Sequence, residues 1–230
     1  VNTFDPIWET IHQTHDWGKY PAEEIVRFVA RTYYRRPRGD VPILDWGCGA
    51  GVVSWFLCRE GFTPVGFDGS LTALKKARER LENETGTAHF FQAEATRLPL
   101  RDASFEAIID SAAMYANTLA HFRLMLRECR RLLRPGGKLF STGLFEVGMS
   151  GYGTGIEIEP QTYRDIESGP LAGRGLSRFF RHEEIPDLWA ECGFPDIRID
   201  RLERTDQNGL HRISYFMVEA TRPSQESKRA

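Results

Sequence analysis

The sequence is poor in cysteine, with four among 230 residues, and they stand far apart at positions 48, 58, 129 and 192. None forms a CxxC pair and no Cys/His cluster has zinc spacing, which argues against a metal site and against a disulfide-stapled secreted scaffold. Reduced thiols in a cytoplasmic compartment are expected instead. Basic charge is not in excess either: 30 Lys and Arg stand against 32 Asp and Glu, for a net charge of −2. Phosphate neutralisation supplies most of the affinity of a dedicated nucleic-acid binder. A small or weakly charged substrate is therefore expected, and no nucleic-acid partner. No apolar run approaches the roughly 18 residues of a membrane span, and no basic stretch followed by an apolar segment marks a secretory signal. No membrane partner is expected.

What is present reads as a globular chain. Hydrophobic residues make up 41% of it, enough for one domain with a full core, as a monomer or homodimer. Residues 1–40 have their own character. Phe4, Trp8, Trp17 and Tyr20 make the beginning rich in aromatics, and Pro21 to Tyr34 carries apolar residues near helical spacing. Five arginines between Arg27 and Arg38 read as a solvated helix end, with an anion-binding edge as the alternative.

From residue 41 strands and helices alternate. Strands are expected at Val41–Asp45, Thr63–Phe67, His89–Ala93, Ala107–Asp110 and Lys138–Thr142. Helices are expected at Val52–Glu60, Ser70–Thr85 and Leu119–Leu133, the last stopped by Pro135-Gly136-Gly137. This alternation implies βαβ units. Residues 146–181 break the rhythm, being glycine-rich and without clear periodicity. A helix (His182–Cys192) and two alternating strands (Asp196–Arg204 and Arg212–Ala220) follow, and the strands suit an antiparallel edge. The last residues, Thr221–Ala230, are polar and expected to fray.

The central signal is Ile43-Leu44-Asp45-Trp46-Gly47-Cys48-Gly49-Ala50-Gly51-Val52. A strand ends in an acid and a glycine loop, then a helix begins. Dinucleotide sites use GxGxxG, whose third glycine supports packing near a pyrophosphate. Here the glycines fall at 47, 49 and 51, and Val52 takes the place of a third-spaced glycine. Asp45 would repel a pyrophosphate but suits a cationic ligand with a free ammonium group. Asp68, closing the second strand, can accept hydrogen bonds from ribose hydroxyls. Glu94, in Ala93-Glu94-Ala95 after the third strand, can take the exocyclic amine of an adenine, with small neighbours leaving room for the ring.

In these blocks the chain resembles the class I S-adenosylmethionine-dependent methyltransferases, from about residue 40 to residue 220. The resemblance rests on five motifs in order: Asp45–Gly51, Asp68, Ala93–Pro99, Ser104-Phe105-Glu106-Ala107, and Leu132 to Leu139 around Pro135-Gly136-Gly137. Glu94 and Glu106 depart from the family's usual aspartates. The N-terminal aromatic segment, Gly151–Gly155 and Gly169-Pro170-Leu171 are similar to a subgroup linked to polysaccharide or secondary-metabolite biosynthesis. The resemblance implies a Rossmann-like, doubly wound α/β fold with a seven-stranded mixed sheet and an antiparallel last strand. It implies an N-terminal helical cap (1–40), a cofactor-binding core (41–145), a substrate lid after strand five (146–181) and a C-terminal helix and strands (182–222), all in one domain.

The resemblance further implies S-adenosylmethionine as cofactor and methyl transfer to a small molecule, with oxygen favoured over nitrogen. Trp17, Tyr20, Asp45, Gly47, Cys48, Gly49, Asp68, Gly69, Ser70, Ala93, Glu94, Ala95, Asp110 and Ser111 are its expected contacts. Cys48 reads as a small filler and not a nucleophile. Catalytic candidates are His15, Asp110, Tyr115 and His121, with His12 beside His15 on the aromatic segment. For Asp110 the alternative is a structural cap, and for His121 a capping histidine. Two other functions remain to be separated: a non-catalytic binding or partner subunit with the same fold, and a nicotinamide oxidoreductase, disfavoured by Val52.

Overall fold

The computed structural model describes residues 3–82 and 86–224. Its centre is a seven-stranded sheet built from β1 (Ile43–Trp46), β2 (Val65–Asp68), β3 (His89–Gln92), β4 (Phe105–Ser111), β5 (Leu133–Phe145), β9 (Ile197–Asp206) and β10 (His211–Thr221), in the order β3-β2-β1-β4-β5-β10-β9. β1 to β5 pair in parallel, while β10 runs antiparallel to both β5 and β9. The doubly wound, mixed architecture is as expected. The last strand is inserted between β5 and β9 rather than added at the edge.

Residue alternation sends side chains to opposite faces of the sheet. Ile43, Ala107, Ile109 and Phe140 meet α2 (Glu23–Tyr33) and α3 (Val52–Arg59) in one buried cluster. Leu44, Trp46, Ile108 and Leu139 meet α5 (Leu119–Leu132) and α6 (Ile185–Glu191) in the other. The buried face of α5 carries Phe122, Met125, Leu126, Cys129 and Leu132, a helical stripe of the kind that docks on a sheet. α4 (Leu71–Leu81) covers the β2–β3 side and ends before residues 83–85, where the expected helix runs outside the described residues.

Several expectations need correction. β5 begins at Leu133, not after Gly137. A register shift between Phe105 and Ala107 takes up the Pro-Gly-Gly turn, so Leu133 already pairs with Phe105. The aromatic N-terminal stretch contains a helix, α1 (Ile7–Thr14), whose first turn is held by the Asp5 carboxylate accepting from the Ile7 N–H at 3.1 Å. The 146–181 insertion is ordered around a small antiparallel sheet of β6 (Ile156–Glu159), β7 (Thr162–Arg164) and β8 (Ser177–Arg178). These strands are two to four residues long, too short for alternation to show in the sequence. Arg178, fully buried, locks them through Glu184 at 3.2 Å. Within the arginine-rich stretch, Arg31 pairs with Glu219, Arg36 pairs with Glu106, and Arg38 bonds backbone carbonyls. Three of its five arginines are thus structural ties.

Candidate active site

The site begins where β1 ends. Asp45 is buried, and its Oδ2 accepts from the Ser54 N–H (2.9 Å) and hydroxyl (2.6 Å) at the start of α3. These bonds fix the loop between strand and helix. Gly47 and Gly51 have φ of +58° and +75°, and a Cβ on either would lie 2.5 Å from the Ala113 Cβ or 2.8 Å from the Ala77 Cβ. Only glycine satisfies both the left-handed backbone and the close approach. Burial lifts the Asp45 carboxyl to about 7 against the pull of Ser54's hydrogen bonds, with Asp68 and Asp110 adding repulsion. The Cys48 thiol is raised well above its ordinary value by burial, so no thiolate nucleophile stands there.

At the end of β2, Asp68 spans two elements. Oδ2 accepts from the Gly49 N–H at 2.9 Å and Oδ1 from the Ser70 N–H at 2.8 Å. The carboxylate thereby sets the spacing between the glycine loop and α4. Burial raises its pKa, opposed by those N–H groups and by the neighbouring His12 imidazole.

The N-terminal segment forms the facing wall. Glu9 of α1 accepts from the hydroxyls of Ser70 (2.5 Å) and Thr72, docking α1 on the start of α4. This places His12 over the glycine loop, its Cε1 3.5 Å from where a Gly49 Cβ would be. Trp17 donates its indole N–H to His12 Nδ1 at 3.1 Å. An occupied Nδ1 assigns the ring proton to Nε2 in the neutral imidazole. Burial lowers the His12 pKa, which favours that neutral form. Trp8 stands 6.5 Å from Trp17, completing an aromatic wall.

These elements enclose a cavity of about 480 Å³. Of the expected cofactor contacts, Trp17, Tyr20, Asp45, Gly47, Cys48, Gly49, Asp68, Gly69, Ala93, Ala95 and Ser111 line it. Tyr20 does so from the rim, 75% exposed, with its ring edge-on to Trp55. Ser70, Glu94 and Asp110 are not among the lining residues. Ser70 caps α4 by accepting from the Ala73 N–H. Glu94 Oε2 accepts from both the N–H and hydroxyl of Thr3, each at 2.7 Å. Asp110 accepts from the Ala113 and Met114 N–H groups and the Ser141 hydroxyl, which makes it the cap of the turn after β4. Burial raises its pKa to about 6.

Of the catalytic candidates, Tyr115 alone lines the cavity. His15 is exposed and bonded to the Thr14 hydroxyl. His121 begins α5, where its N–H is capped by Thr118. It is His12, one helical turn before His15, that faces the cavity, because the α1 face carrying Trp8 and His12 packs inward. Periodicity within α1 could have separated the two histidines, had the helix been recognised. Asn117, Phe145 and Arg174 also line the cavity, and no local pattern marks them.

The geometry agrees with comparisons to known proteins. A family profile described as a methyltransferase domain matches residues 43–137. The uncharacterized methyltransferase YodH of Bacillus subtilis is 32% identical over 103 residues, 45% of this chain and 43% of that protein. Residues 43–137 thus carry a methyltransferase domain, and its fold and glycine loop resemble those of the class I S-adenosylmethionine-dependent enzymes. The malonyl-[acyl-carrier protein] O-methyltransferase of Enterobacter lignolyticus is 31% identical over 155 residues, covering 67% of this chain and 53% of that protein. The chain spans about half the length of the curated relatives it matches. Among solved structures, an S-adenosylmethionine-dependent methyltransferase of Methanosarcina mazei superposes with a TM-score of 0.69 at 22% identity, over 83% of this chain and 95% of that one. The 1,6-didemethyltoxoflavin-N1-methyltransferase of Burkholderia thailandensis, solved with bound 1,6-didemethyltoxoflavin and S-adenosylhomocysteine, gives a TM-score of 0.63 at 19% identity, over 87% of this chain and 77% of that one. These likenesses show the fold.

The methyltransferase domain fits the cofactor of its family. Asp45 and Asp68 line the cavity, with Asp110 buried beside it. No lysine or arginine among the described residues forms an ion pair with any of the three. Buried carboxylates without cations are costly unless a ligand supplies the charge. S-adenosylmethionine carries a sulfonium and an ammonium, and the aromatic wall suits a cation as well. A cavity of about 480 Å³ lies within the range of small-molecule sites.

Proposed function

We propose that the protein transfers a methyl group from S-adenosylmethionine to a small-molecule acceptor, to oxygen in preference to nitrogen. The observation that carries this reading is the Asp68 carboxylate, held by the Gly49 and Ser70 N–H groups at the mouth of a cation-poor, acid-walled cavity. The bound donor supplies an electrophilic methyl on sulfur. The protein's part is to bind, align and exclude water. Asp68 takes the ribose hydroxyls, Asp45 faces the ammonium end across the glycine loop, and Ala93 and Ala95 make room for the adenine. Residues 1–40 act as a cap, and residues 146–181 as a substrate lid. The two are clasped by Asp5 and Arg164 at 3.0 Å.

The preference for oxygen is supported by the oxygen-directed names of several relatives, including ubiquinone biosynthesis O-methyltransferases. Transfer to a hydroxyl needs its proton removed. His12, with Nδ1 taken by Trp17, offers a donor and not a free lone pair, and burial pushes the Tyr115 phenol up. The site therefore suits an acceptor that arrives already ionised, such as a carboxylic acid or an acidic enol.

Calorimetric titration with S-adenosylhomocysteine tests the reading. Saturable binding is expected, and Asp68→Ala is expected to weaken it by about 1–3 kcal/mol through lost charged hydrogen bonds. Absence of binding at millimolar ligand would end the proposal. Turnover of any acceptor in a panel separates an enzyme from a binding subunit of the same fold.

A further inference from the structure

We propose that Arg174 is the carboxylate-binding group of this cavity, taking a singly charged carboxylate from a bound small molecule. The proposal rests on the methyltransferase reading of the same site and adds the chemistry of its far wall.

Three arginines of the insertion can be compared. Arg164 is paired with Asp5 at 3.0 Å, and Arg178 with Glu184 at 3.2 Å. Arg174, half-buried and lining the cavity, has no ion pair with any acid among the described residues. Its guanidinium lies over the Trp17 ring, Cζ 4.8 Å from the centroid. A guanidinium stacked this way is held in place while its in-plane N–H donors stay available for a carboxylate fork. Its charge also reaches Tyr115, where it opposes the rise that burial imposes on the phenol.

A second observation concerns another residue of the same cavity. Asn117 is 8% exposed and lines the cavity, yet its side-chain amide has no hydrogen-bond partner among the described residues. The amide is not sealed from the cavity, so a bound ligand can meet it there. Charge then discriminates between anions. Among the described residues no lysine lines the cavity, whereas Asp5, Asp45 and Asp68 do. A phosphate dianion would meet these acids with a single arginine to offset them. A carboxylate matches one guanidinium, and the apolar surfaces of Tyr115, Phe145 and Leu171 accommodate the body that bears it.

The carboxylate has two sources, the methionine end of the donor or the acceptor itself, and one experiment separates them. Wild type, Arg174→Gln and Arg174→Lys are titrated with S-adenosylhomocysteine and with 5′-methylthioadenosine, which lacks the aminocarboxylate. The S-adenosylhomocysteine complex is then titrated with 4-hydroxybenzoate and its neutral amide. If Arg174 holds the donor, Arg174→Gln loses about tenfold or more in S-adenosylhomocysteine affinity while 5′-methylthioadenosine is unaffected. If it holds the acceptor, donor binding stays constant and the wild-type preference for the benzoate over the amide disappears. Arg174→Lys retains part of either effect, and matched thermal melts establish that the variants fold. The proposal is overturned if Arg174→Gln binds S-adenosylhomocysteine as wild type does and either wild type shows no preference for the carboxylate or Arg174→Gln keeps that preference. Failure of wild type to bind S-adenosylhomocysteine, with the ligand-free protein still preferring the benzoate over its amide and Arg174→Gln losing that preference, would instead refute the methyltransferase reading alone.

Discussion

Replacing Asp45 with asparagine is expected to stabilise the ligand-free protein and weaken its donor complex together. Burial lifts this carboxyl from an ordinary 3.8 to about 7. A carboxyl raised in the folded state holds its proton more tightly there than in the unfolded chain. Stability is therefore unaffected below about pH 4, is lost as pH rises toward 7, and stays at the lower level above that. The interval from 3.8 to about 7, at roughly 1.36 kcal/mol per pH unit, amounts to about 4 kcal/mol at pH 8. Asparagine keeps an oxygen for Ser54's two hydrogen bonds but adds an amide N–H₂ that needs a partner, at about 1–3 kcal/mol. The net gain at pH 8 is about 1–3 kcal/mol, or several degrees in Tm for a chain of this size. At pH 4 the gain vanishes, and the amide's cost leaves Asp45→Asn less stable than wild type by about 1–3 kcal/mol. Thermal or denaturant unfolding of both proteins from pH 4 to pH 8 measures the difference directly, and other titrating groups such as His12 and Asp110 largely cancel. Calorimetry supplies the second half. S-adenosylhomocysteine should bind more weakly to Asp45→Asn, and its binding to wild type near pH 7 should release protons, because an ammonium draws Asp45 back to its ionised form. An Asp45→Asn protein no more stable than wild type at pH 8 would refute the claim that an uncompensated buried charge is held there.

Asp110→Asn tests the assignment of that residue to the turn and not to the ligand. It should raise stability at pH 8 by about 1–2 kcal/mol, since its carboxyl is lifted to about 6, and leave S-adenosylhomocysteine affinity within about threefold. Asp5→Ala removes the Arg164 ion pair and the acceptor of the Ile7 and Leu176 N–H groups. A loss of about 2–3 kcal/mol by denaturant titration is expected, with faster proteolytic cleavage within residues 164–176.

Legibility of the site tracked the range of the interactions. Asp45, Gly47, Gly49 and Asp68 were readable because strand end, loop and helix start are contiguous, and their chemistry follows from spacing. Glu94 was readable as an acid in the right block, but the Thr3 contact that engages it spans 91 residues. His15 was preferred over His12 because the aromatic segment was not recognised as a helix, so the inward face was unknown. Arg174 and Asn117 carried no signal, since neither lies in a repeating pattern and each gains meaning only from the cavity that the folded chain encloses.

The sequence by itself determined the alternation of strands and helices, the glycine loop after β1 and the acids that close the strands, because local sterics, hydrophobic period and short-range hydrogen bonding are written in neighbouring residues. Tertiary structure alone decided that β10 enters between β5 and β9, that α1 docks through Glu9 on α4, and that the insertion brings Arg174 over Trp17. Those contacts join residues tens to more than a hundred positions apart, and only the folded chain selects among the many partners their chemistry would permit. The acid-rich half of the cavity that fits a cationic donor is thus legible in the sequence, while the half built around Arg174 exists only once the chain has closed.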